Sequence, residues 1–381
     1  MLPSFYQACL QAQLTSIQLI TLKMLVALLQ RERQVSIERL ATLFAQPIQF
    51  ESRRRNIQRF LQLPQLNVKA LWFPILKHWL KQQFHRGQRL YLVIDRTAWK
   101  YHNLLMVSLV HHKRAIPLFW SLLDHCGASS LADQQAALRP VFVLLSRYSC
   151  TILGDREFHS VALADWLRQQ RVQFVLRLPK STTVKSHADS EFERLDKLPQ
   201  YPGIACFEVQ VQVTQQQGFG RFNLVTRWKR VYRQSKTNQV WYLLTNLNDL
   251  ETALSSYAKR FSIEPMFKDF KTGGYNLENC RALGQRFLAL VLLVAIAYTL
   301  TTEQGKRMCR KQIQHYIGRV PEPERPGKRH SHFWLGLYGQ LWISSMDLWS
   351  SWAEELMYLK PQKRRFFQLG LRAMRLIQSA L

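Results

Sequence analysis

The sequence predicts a mixed α/β fold in which a sheet-forming centre is flanked by helical regions. Residues 1–85 and much of 281–381 repeat apolar side chains at the spacing of amphipathic or buried helices. Short apolar runs alternate with helical patterns over 90–178, which indicates buried strands joined by helices. Over 179–249 apolar and polar residues alternate, as they do in half-exposed strands. The central sheet is therefore expected to carry a β-rich insertion.

The composition is that of a globular protein with a polyanionic partner. The chain has 381 residues, of which 47% are hydrophobic, enough for a large core and two or three domains. Lys and Arg number 53 against 25 acidic residues, a net charge of +28, and this excess predicts binding to DNA. The longest apolar run, 287–300, is shorter than the roughly 20 residues of a membrane span, so a buried helix is expected there and no membrane association.

Two further features favour a reduced, cytoplasmic protein. The N-terminus lacks the basic segment, apolar segment and small-residue cleavage site of a signal peptide. The six cysteines are scattered without a Cys-x-x-Cys pair, which favours packing residues over a zinc site or a disulfide framework.

Residues 1–85 are predicted to form a helical DNA-binding domain. Apolar positions in 14–29 predict a first helix, Ser36 can cap a second, and a third follows the break at Pro47. Two short helices about a turn apart, the second led by three arginines, have the pattern of a helix-turn-helix. The alternative is a small helical bundle with a solvated basic edge. The arginines expected to contact DNA are Arg53, Arg54 and Arg55.

The strands and helices of 86–178 follow a recognisable order. Sequential hairpins followed by strand–helix alternation imply a mixed sheet, and the order is that of a ribonuclease H-like core. A hairpin loop is predicted at 112–115, and Pro140 is expected to end or interrupt a helix. The predicted elements are strand 90–94, strand 104–111, strand 116–123, helix 132–146, strand 149–154, helix 161–171 and strand 173–178.

Two aspartates stand where predicted strands end. Asp95 follows the strand at 90–94 and Asp155 follows the strand at 149–154. Open α/β sheets present their ligand-binding groups at the carboxyl ends of strands. A single aspartate in such a place is usually a turn or capping residue. Two of them, together with Glu264 on a helix expected to pack on the sheet, indicate a cluster of carboxylates.

The helix predicted at 256–271 carries the most informative spacing. At about 100° per residue, four polar residues fall on one edge beside an apolar stripe; they are Tyr257, Arg260, Glu264 and Lys271. The alternative is an ordinary solvated edge of an amphipathic helix. Pro265 predicts either a kink after Glu264 or a new helix with Pro265 in its first turn.

These four residues and the glycines at 273–274 resemble the Tyr-Arg-Glu-Lys signature of DDE transposases of bacterial insertion sequences, of the insertion-sequence-four type. The tripeptides Asp-Arg-Thr and Asp-Arg-Glu at the two strand ends also resemble motifs of that family. The resemblance covers about 90–274. It implies a catalytic domain at 86–280 with the β-rich insertion at about 179–249, between the second aspartate and the glutamate.

The resemblance implies a role for each of these residues. Asp95, Asp155 and Glu264 are the expected catalytic residues and metal ligands. Because three ionised carboxylates repel one another unless cations bind among them, two Mg²⁺ or Mn²⁺ ions are expected. Trp241 begins a Trp-x-x-x-Thr strand that in one family member stacks on a flipped base, although a tryptophan of the core or sheet face fits equally well. The expected DNA contacts of the catalytic domain are Tyr257, Arg260, Lys271 and Trp241.

The function implied is cut-and-paste transposition of an insertion sequence, with nicking at the 3′ ends, a hairpin step and strand transfer. The N-terminal domain would recognise the terminal inverted repeats, and the helical region at 281–381 would bind ends or form a dimer. A homodimer on both ends and target DNA, associated with the bacterial nucleoid, is expected. Two alternatives remain at this point: a ribonuclease H-like nuclease without strand transfer, and an inactive DNA-binding protein that keeps the fold.

Overall fold

A computed structural model describes residues 2–186, 191–214, 220–228, 240–320, 322, 324 and 329–381. The chain divides into two compact units. A helical unit comprises Met1–Ile75 and Lys268–Leu381, and a sheet unit comprises Leu76–Phe267.

The α-helices of the described residues are given first. They are α1 (Ser4–Gln11), α2 (Ser16–Glu32), α3 (Ile37–Leu43), α4 (Phe50–Phe60), α5 (Phe73–Gln83), α6 (Leu131–Leu144), α7 (Val161–Gln169), α8 (Leu250–Ala258), α9 (Ile263–Phe270), α10 (Gly284–Arg310), α11 (Gln314–Ile317), α12 (His332–Leu359) and α13 (Arg364–Gln378). The divisions between the two units fall within α5 and α9.

The sheet unit is built on one mixed sheet. The described strands are β1 (Arg89–Trp99), β2 (His102–His111), β3 (Arg114–Leu122), β4 (Ser149–Gly154), β5 (Gln173–Arg177), β6 (Thr183–Lys185), β7 (Glu193–Arg194), β8 (Ala205–Val213), β9 (Arg221–Trp228) and β10 (Val240–Thr245). Their order across the sheet is β3-β2-β1-β4-β5-β10-β9-β8-β6-β7. β1 lies parallel to β4 and β4 to β5, whereas the other pairings are antiparallel. The predicted mixed α/β fold with helical flanks is confirmed.

The predicted β-rich insertion extends this same sheet. β8, β9 and β10 correspond to the alternating runs of the sequence, and β10 returns to pair with β5. Three segments of the insertion, 187–190, 215–219 and 229–239, lie outside the described residues. Through β10 the insertion places its last strand beside the strands of the predicted core.

Two local features differ from the prediction. The β2–β3 connection is a turn of two residues, His112 and Lys113, both with positive φ (48° and 65°). Positive φ at both positions matches the right-handed twist of a hairpin, so β3 begins at Arg114. Helix α6 runs through Pro140. The carbonyl left without a helical partner belongs to Ala136, which is exposed, so water can replace the missing donor.

The helical unit is organised around α10. By length and composition α10 could cross a membrane, but 89% of its most apolar window is buried inside the protein, as in the core helix of a globular domain. Its polar residues bond within the unit: the Gln30 side chain of α2 donates to Thr301 Oγ1 at 2.9 Å and to Gln304 Oε1 at 3.3 Å. The N-terminal and C-terminal helices therefore share one core.

Candidate active site

Asp95 lies inside β1 rather than at its end. β1 pairs with β2 as far as Trp99, whereas its parallel pairing with β4 ends where Ile94 faces Gly154. The antiparallel hairpin thus prolongs the strand past the predicted end. Asp95 is the first residue of β1 beyond the parallel pairing, and this places it at the carboxyl edge of the β1–β4 pair.

Asp155 follows β4 directly, as predicted, and leads into a 3₁₀ turn at Arg156–Phe158. The residue before it is constrained by packing. A Cβ at Gly154 would lie 2.8 Å from Phe158 Cβ and 2.9 Å from Leu176 Cδ2. Only glycine therefore fits where β4 turns to present Asp155.

The predicted helix at 256–271 is broken into three pieces. Tyr257 lies in α8, Arg260 in a 3₁₀ segment at Lys259–Ser262, and Glu264 in the first turn of α9 beside Pro265. This is the second of the two alternatives that Pro265 allowed. Since α9 ends at Phe270, Lys271 is not on a helical face with the other three residues.

The three predicted carboxylates meet at Arg260. Its Nη1 lies 3.7 Å from Asp95 Oδ2 and 3.7 Å from Asp155 Oδ2. Its Nη2 donates a hydrogen bond of 3.0 Å to Glu264 Oε1. The Arg260 side chain is only 6% exposed. One buried guanidinium therefore joins acidic groups from β1, the end of β4 and α9.

Burial is the largest influence on the ionisation of Asp95. It raises the pKa of Asp95 to about 6, and the charges of Asp155 and Glu157 act in the same direction. The backbone N–H of Arg96 and the charge of Arg260 oppose the rise. Because an opposite charge favours the ionised carboxylate, a cation beside Asp95 offsets the effect of burial.

Tyr257 and Trp241 border the carboxylates. The Tyr257 hydroxyl donates to Asp155 Oδ1 at 3.3 Å. Burial, and to a smaller extent the charge of Asp155, raises the pKa of Tyr257 to about 12. The Trp241 ring meets the Tyr257 ring edge-on, with centroids 5.0 Å apart, and lies 6.0 Å from the Phe261 ring. Trp241 is half-buried, and the Arg227 guanidinium lies 6.0 Å from its ring centroid.

Arg177 is a second cation of the site that sequence reasoning missed. It ends β5, its side chain is 8% exposed, and its Nη1 lies 3.6 Å from Asp155 Oδ1. The residue stands at the end of a predicted strand, as Asp155 does. Finding it required the knowledge that β4 and β5 are neighbours in the sheet.

The remaining predicted DNA contacts belong to the helical unit. Lys271 Nζ pairs with Glu278 Oε1 at 3.2 Å. Arg53 donates to the backbone carbonyls of Ala41 at 2.8 Å and Ile48 at 3.0 Å. Arg54 pairs with Glu51, while Arg55 is exposed. Of the three predicted contacts, Arg55 is the exposed one, and α4 also carries a fourth, exposed arginine, Arg59.

The donor chemistry of the carboxylate cluster suits a hard divalent cation. Asp95, Asp155 and Glu264 supply only oxygen ligands, as Mg²⁺ and Mn²⁺ prefer. Among the described residues, no three His, Cys, Asp or Glu side chains are spaced to hold a metal ion. The cation between the carboxylates is instead the Arg260 guanidinium. The residue types fit the metal, and their present spacing fits arginine.

Comparison with known proteins identifies the family. No curated protein matches the chain. A solved structure to which it is similar is the cryo-EM structure of the piggyBac transposase synaptic complex with hairpin DNA, at 14% identity and a TM-score of 0.41 over 87% of this chain and 72% of that one. The model of the transposase DDE domain matches residues 86–300. Since that match spans more than half of the chain, the protein belongs to the family of DDE transposases.

Proposed function

We propose that this DDE transposase cuts and joins the ends of an insertion sequence, as a member of the insertion-sequence-four type with a ribonuclease H-like core. The observation that carries the proposal is the meeting of Asp95, Asp155 and Glu264 at Arg260. The strand order β3-β2-β1-β4-β5, with its two parallel pairs, supports the ribonuclease H-like assignment.

Asp95, Asp155 and Glu264 would hold two Mg²⁺ or Mn²⁺ ions. When bound, such ions supply activation of water or a 3′-hydroxyl and stabilisation of the leaving oxygen in phosphoryl transfer. The Tyr257 hydroxyl orients Asp155 through its hydrogen bond to Oδ1. Arg260, released from the carboxylates, offers its guanidinium to the scissile phosphate, where it offsets developing negative charge.

Trp241 is proposed to receive a flipped base during hairpin formation. Trp241 is half-buried, and its ring packs edge-on against Tyr257, whose hydroxyl bonds Asp155. It would thus offer an aromatic face one side chain away from the carboxylates. Base stacking on an aromatic side chain contributes about 1–3 kcal/mol, enough to hold one nucleotide out of the helix. The freed 3′-hydroxyl would attack the phosphodiester of the opposite strand, forming the hairpin and releasing the flanking DNA at its 3′-oxygen. Water would then open the hairpin and restore the 3′-hydroxyl that joins target DNA.

The rest of the chain is assigned to DNA binding and assembly. Residues 1–85 would recognise the terminal inverted repeats through Arg53, Arg54 and Arg55, with Arg55 the foremost candidate for direct contact. Residues 86–280 would form the catalytic domain, in which Lys271 contacts phosphate. Residues 281–381 would bring two copies together on the paired ends, so that the active form is a homodimer in the bacterial nucleoid.

The proposal is tested by incubating the full chain with Mg²⁺ and a duplex that carries the inverted repeats flanking its own genomic locus. Products are resolved on a denaturing gel. Asp155→Ala should lower cleavage by at least about 10²-fold, the effect of deleting one stabilising group in a preorganised site, and should leave DNA binding intact. The matched control is Asp196→Ala, which removes an aspartate paired with Arg194 at 2.7 Å.

The outcomes separate the alternatives. Retained cleavage by Asp155→Ala would reject the assigned site. Cleavage by the wild-type protein without joining of a pre-nicked end would indicate a nuclease. Binding without any cleavage would indicate an inactive DNA-binding protein. Joining of a pre-nicked end that carries a free 3′-hydroxyl is the result expected of the transposase.

A further inference from the structure

We infer that Arg96 and Glu157 form an internal bridge that positions the two catalytic aspartates, an inference that rests on the proposed function. Arg96 directly follows Asp95, and Glu157 stands two residues after Asp155. Arg96 Nε approaches both carboxylate oxygens of Glu157, at 2.9 and 2.8 Å. The two side chains are 20% and 18% exposed, so the pair is largely withdrawn from water.

The arginine end of the bridge is anchored to the hairpin of β2 and β3. Arg96 Nη1 donates to Asn103 Oδ1 at 2.8 Å. The Asn103 amide donates in turn to the backbone carbonyls of His125 at 2.7 Å and Gly127 at 3.1 Å. The buried Asn103 therefore ties the segment after β3 to the guanidinium.

The glutamate end is anchored to the start of α6. Glu157 Oε1 accepts hydrogen bonds from the Ser129 backbone N–H and from Ser129 Oγ, both at 2.9 Å. Gln134 of α6 donates to Ser129 O at 3.1 Å and to Ser129 Oγ at 3.2 Å. Both ends of the bridge are thus held by groups that are themselves held in place.

The bridge lies where the sheet no longer joins the two aspartates. The β1–β4 pairing ends at Ile94 and Gly154, one residue before each aspartate. Beyond that point the Arg96–Glu157 contact connects the two segments. In addition, the Arg96 backbone N–H donates to Asp95 Oδ1 at 2.8 Å. A shift of Arg96 would therefore move the group that orients Asp95.

Glu157 is assigned to positioning and not to direct binding of a cation. Arg96 occupies both of its carboxylate oxygens, and Ser129 adds two donors to Oε1. Its charge raises the pKa of Asp95, so pairing with Arg96 also limits a repulsion within the cluster. Catalysis would pass through Asp95 and Asp155, whose geometry the bridge maintains.

The test compares full-length variants in Mn²⁺ binding, followed by electron paramagnetic resonance, and in the Mn²⁺ dependence of cleavage of the end duplex. Glu157→Gln should raise the Mn²⁺ concentration for half-saturation by about 10-fold or more in both measurements, the usual effect of removing a group that orients a metal ligand. The maximal rate at saturating Mn²⁺ should fall by a smaller factor. Ser129→Ala should shift half-saturation in the same direction by less, and it serves as the deciding variant if Glu157→Gln does not fold.

The matched control is Asp196→Asn, which removes a carboxylate that accepts from Arg194 at 3.0 and 2.7 Å, and it should bind Mn²⁺ as the wild-type protein does. Unchanged half-saturation in both folded test variants would overturn the inference. So would an equal shift in the control, or a loss of thermal stability without a shift in Mn²⁺ affinity. If the wild-type protein neither binds Mn²⁺ nor cleaves, the proposed function itself fails and the inference falls with it.

Discussion

Arg260 is buried, whereas its carboxylate partners range from Asp95, 22% exposed, to Glu264, 58% exposed. A buried guanidinium without an anion is costly, and so are three neighbouring carboxylates without a cation. Both costs are avoided because Arg260 lies within 3.7 Å of Asp95 and Asp155 and bonds Glu264 at 3.0 Å. Divalent ions at the same carboxylates would compete with Arg260. The proposed metal binding and the proposed phosphate contact of Arg260 would therefore be coupled.

Arg260→Ala tests this coupling. Without divalent ions the substitution should lower the free energy of unfolding by about 1–3 kcal/mol, because Asp95 loses its cation in a largely buried place while water screens the more exposed Asp155 and Glu264. Mg²⁺ should restore part of the loss and should stabilise the variant more than it stabilises the wild-type protein. Urea denaturation with and without Mg²⁺ measures both effects. Arg54→Ala, at an exposed pair with Glu51, is the control and should change stability little. Equal stability of Arg260→Ala and the wild-type protein would contradict the account.

Arg53 and Arg55 should separate structure from DNA binding. Arg53 donates hydrogen bonds to the backbone carbonyls of Ala41 and Ile48. Arg53→Ala should therefore lower the free energy of unfolding by about 1–3 kcal/mol, because these acceptors lose their donor. Arg55→Ala should keep stability, weaken binding to a terminal-repeat duplex, and reduce the salt slope of affinity by about 1. Thermal denaturation and fluorescence anisotropy at several salt concentrations measure the two effects. An unchanged affinity of Arg55→Ala would remove the helix-turn-helix proposal.

The sequence predicts which residues form the site better than it predicts which side chains they contact. Asp155 follows its strand as expected, and the spacing from Tyr257 to Glu264 identified residues that do meet. Arg177 could not be assigned because its role depends on β5 lying beside β4. The Arg96–Glu157 bridge could not be assigned either, since strand adjacency and side-chain reach decide it. Local patterns specify elements, and the pairing of distant elements completes the site.

At the scale of elements, the interruption of helices and the close packing of one helix on another determine where the side chains lie. The predicted single helix at 256–271 was wrong because the chain tightens into a 3₁₀ turn at Lys259–Ser262 and restarts at Ile263. Pro265 occupies the first turn of α9, where its missing N–H costs nothing. The strands were easier: β8 contains the predicted alternating run at 207–213, because a period-two pattern can be recognised even in short stretches.

The crossing of α10 and α12 gives a prediction at this scale. A Cβ at Gly336 would lie 1.9 Å from Thr301 O, and one at Gly305 would lie 1.7 Å from His332 O. Gly336→Ala should therefore force the helices apart and lower the free energy of unfolding by about 3 kcal/mol. Gly370→Ala on α13, with no atom within 4 Å of the added Cβ, should raise it by about 1 kcal/mol through helix propensity. Urea denaturation of both variants is the measurement. Wild-type stability of Gly336→Ala would show that the crossing is less tight than described.

At the scale of the molecule, charge and apolar surface act in opposite directions on assembly. The net charge of +28 disfavours contact between two copies in the absence of DNA. The helices α12 and α13 nevertheless expose large apolar side chains, among them Leu348 (65%), Trp352 (62%), Leu356 (56%) and Phe366 (64%). Large exposed apolar side chains, when they form one patch, usually mark an interaction site, and we propose that these do. DNA bound by both copies would neutralise the repulsion and allow these surfaces to meet.

The proposed homodimer should therefore depend on both DNA and this surface. Wild-type protein at low salt should be monomeric alone and dimeric on end DNA, because the phosphates offset the positive charge of each copy. Trp352→Glu combined with Leu356→Glu should leave one copy per end and prevent pairing of two ends, since it buries two carboxylates at the interface. Light scattering of the purified complexes measures the stoichiometry. Val143→Glu, at a side chain of α6 that is 75% exposed, is the control and should pair ends normally. If the double variant still pairs ends, the contact between copies lies on another surface. If the wild-type protein is dimeric at low salt without DNA, apolar burial outweighs the repulsion between the net positive charges of the two copies.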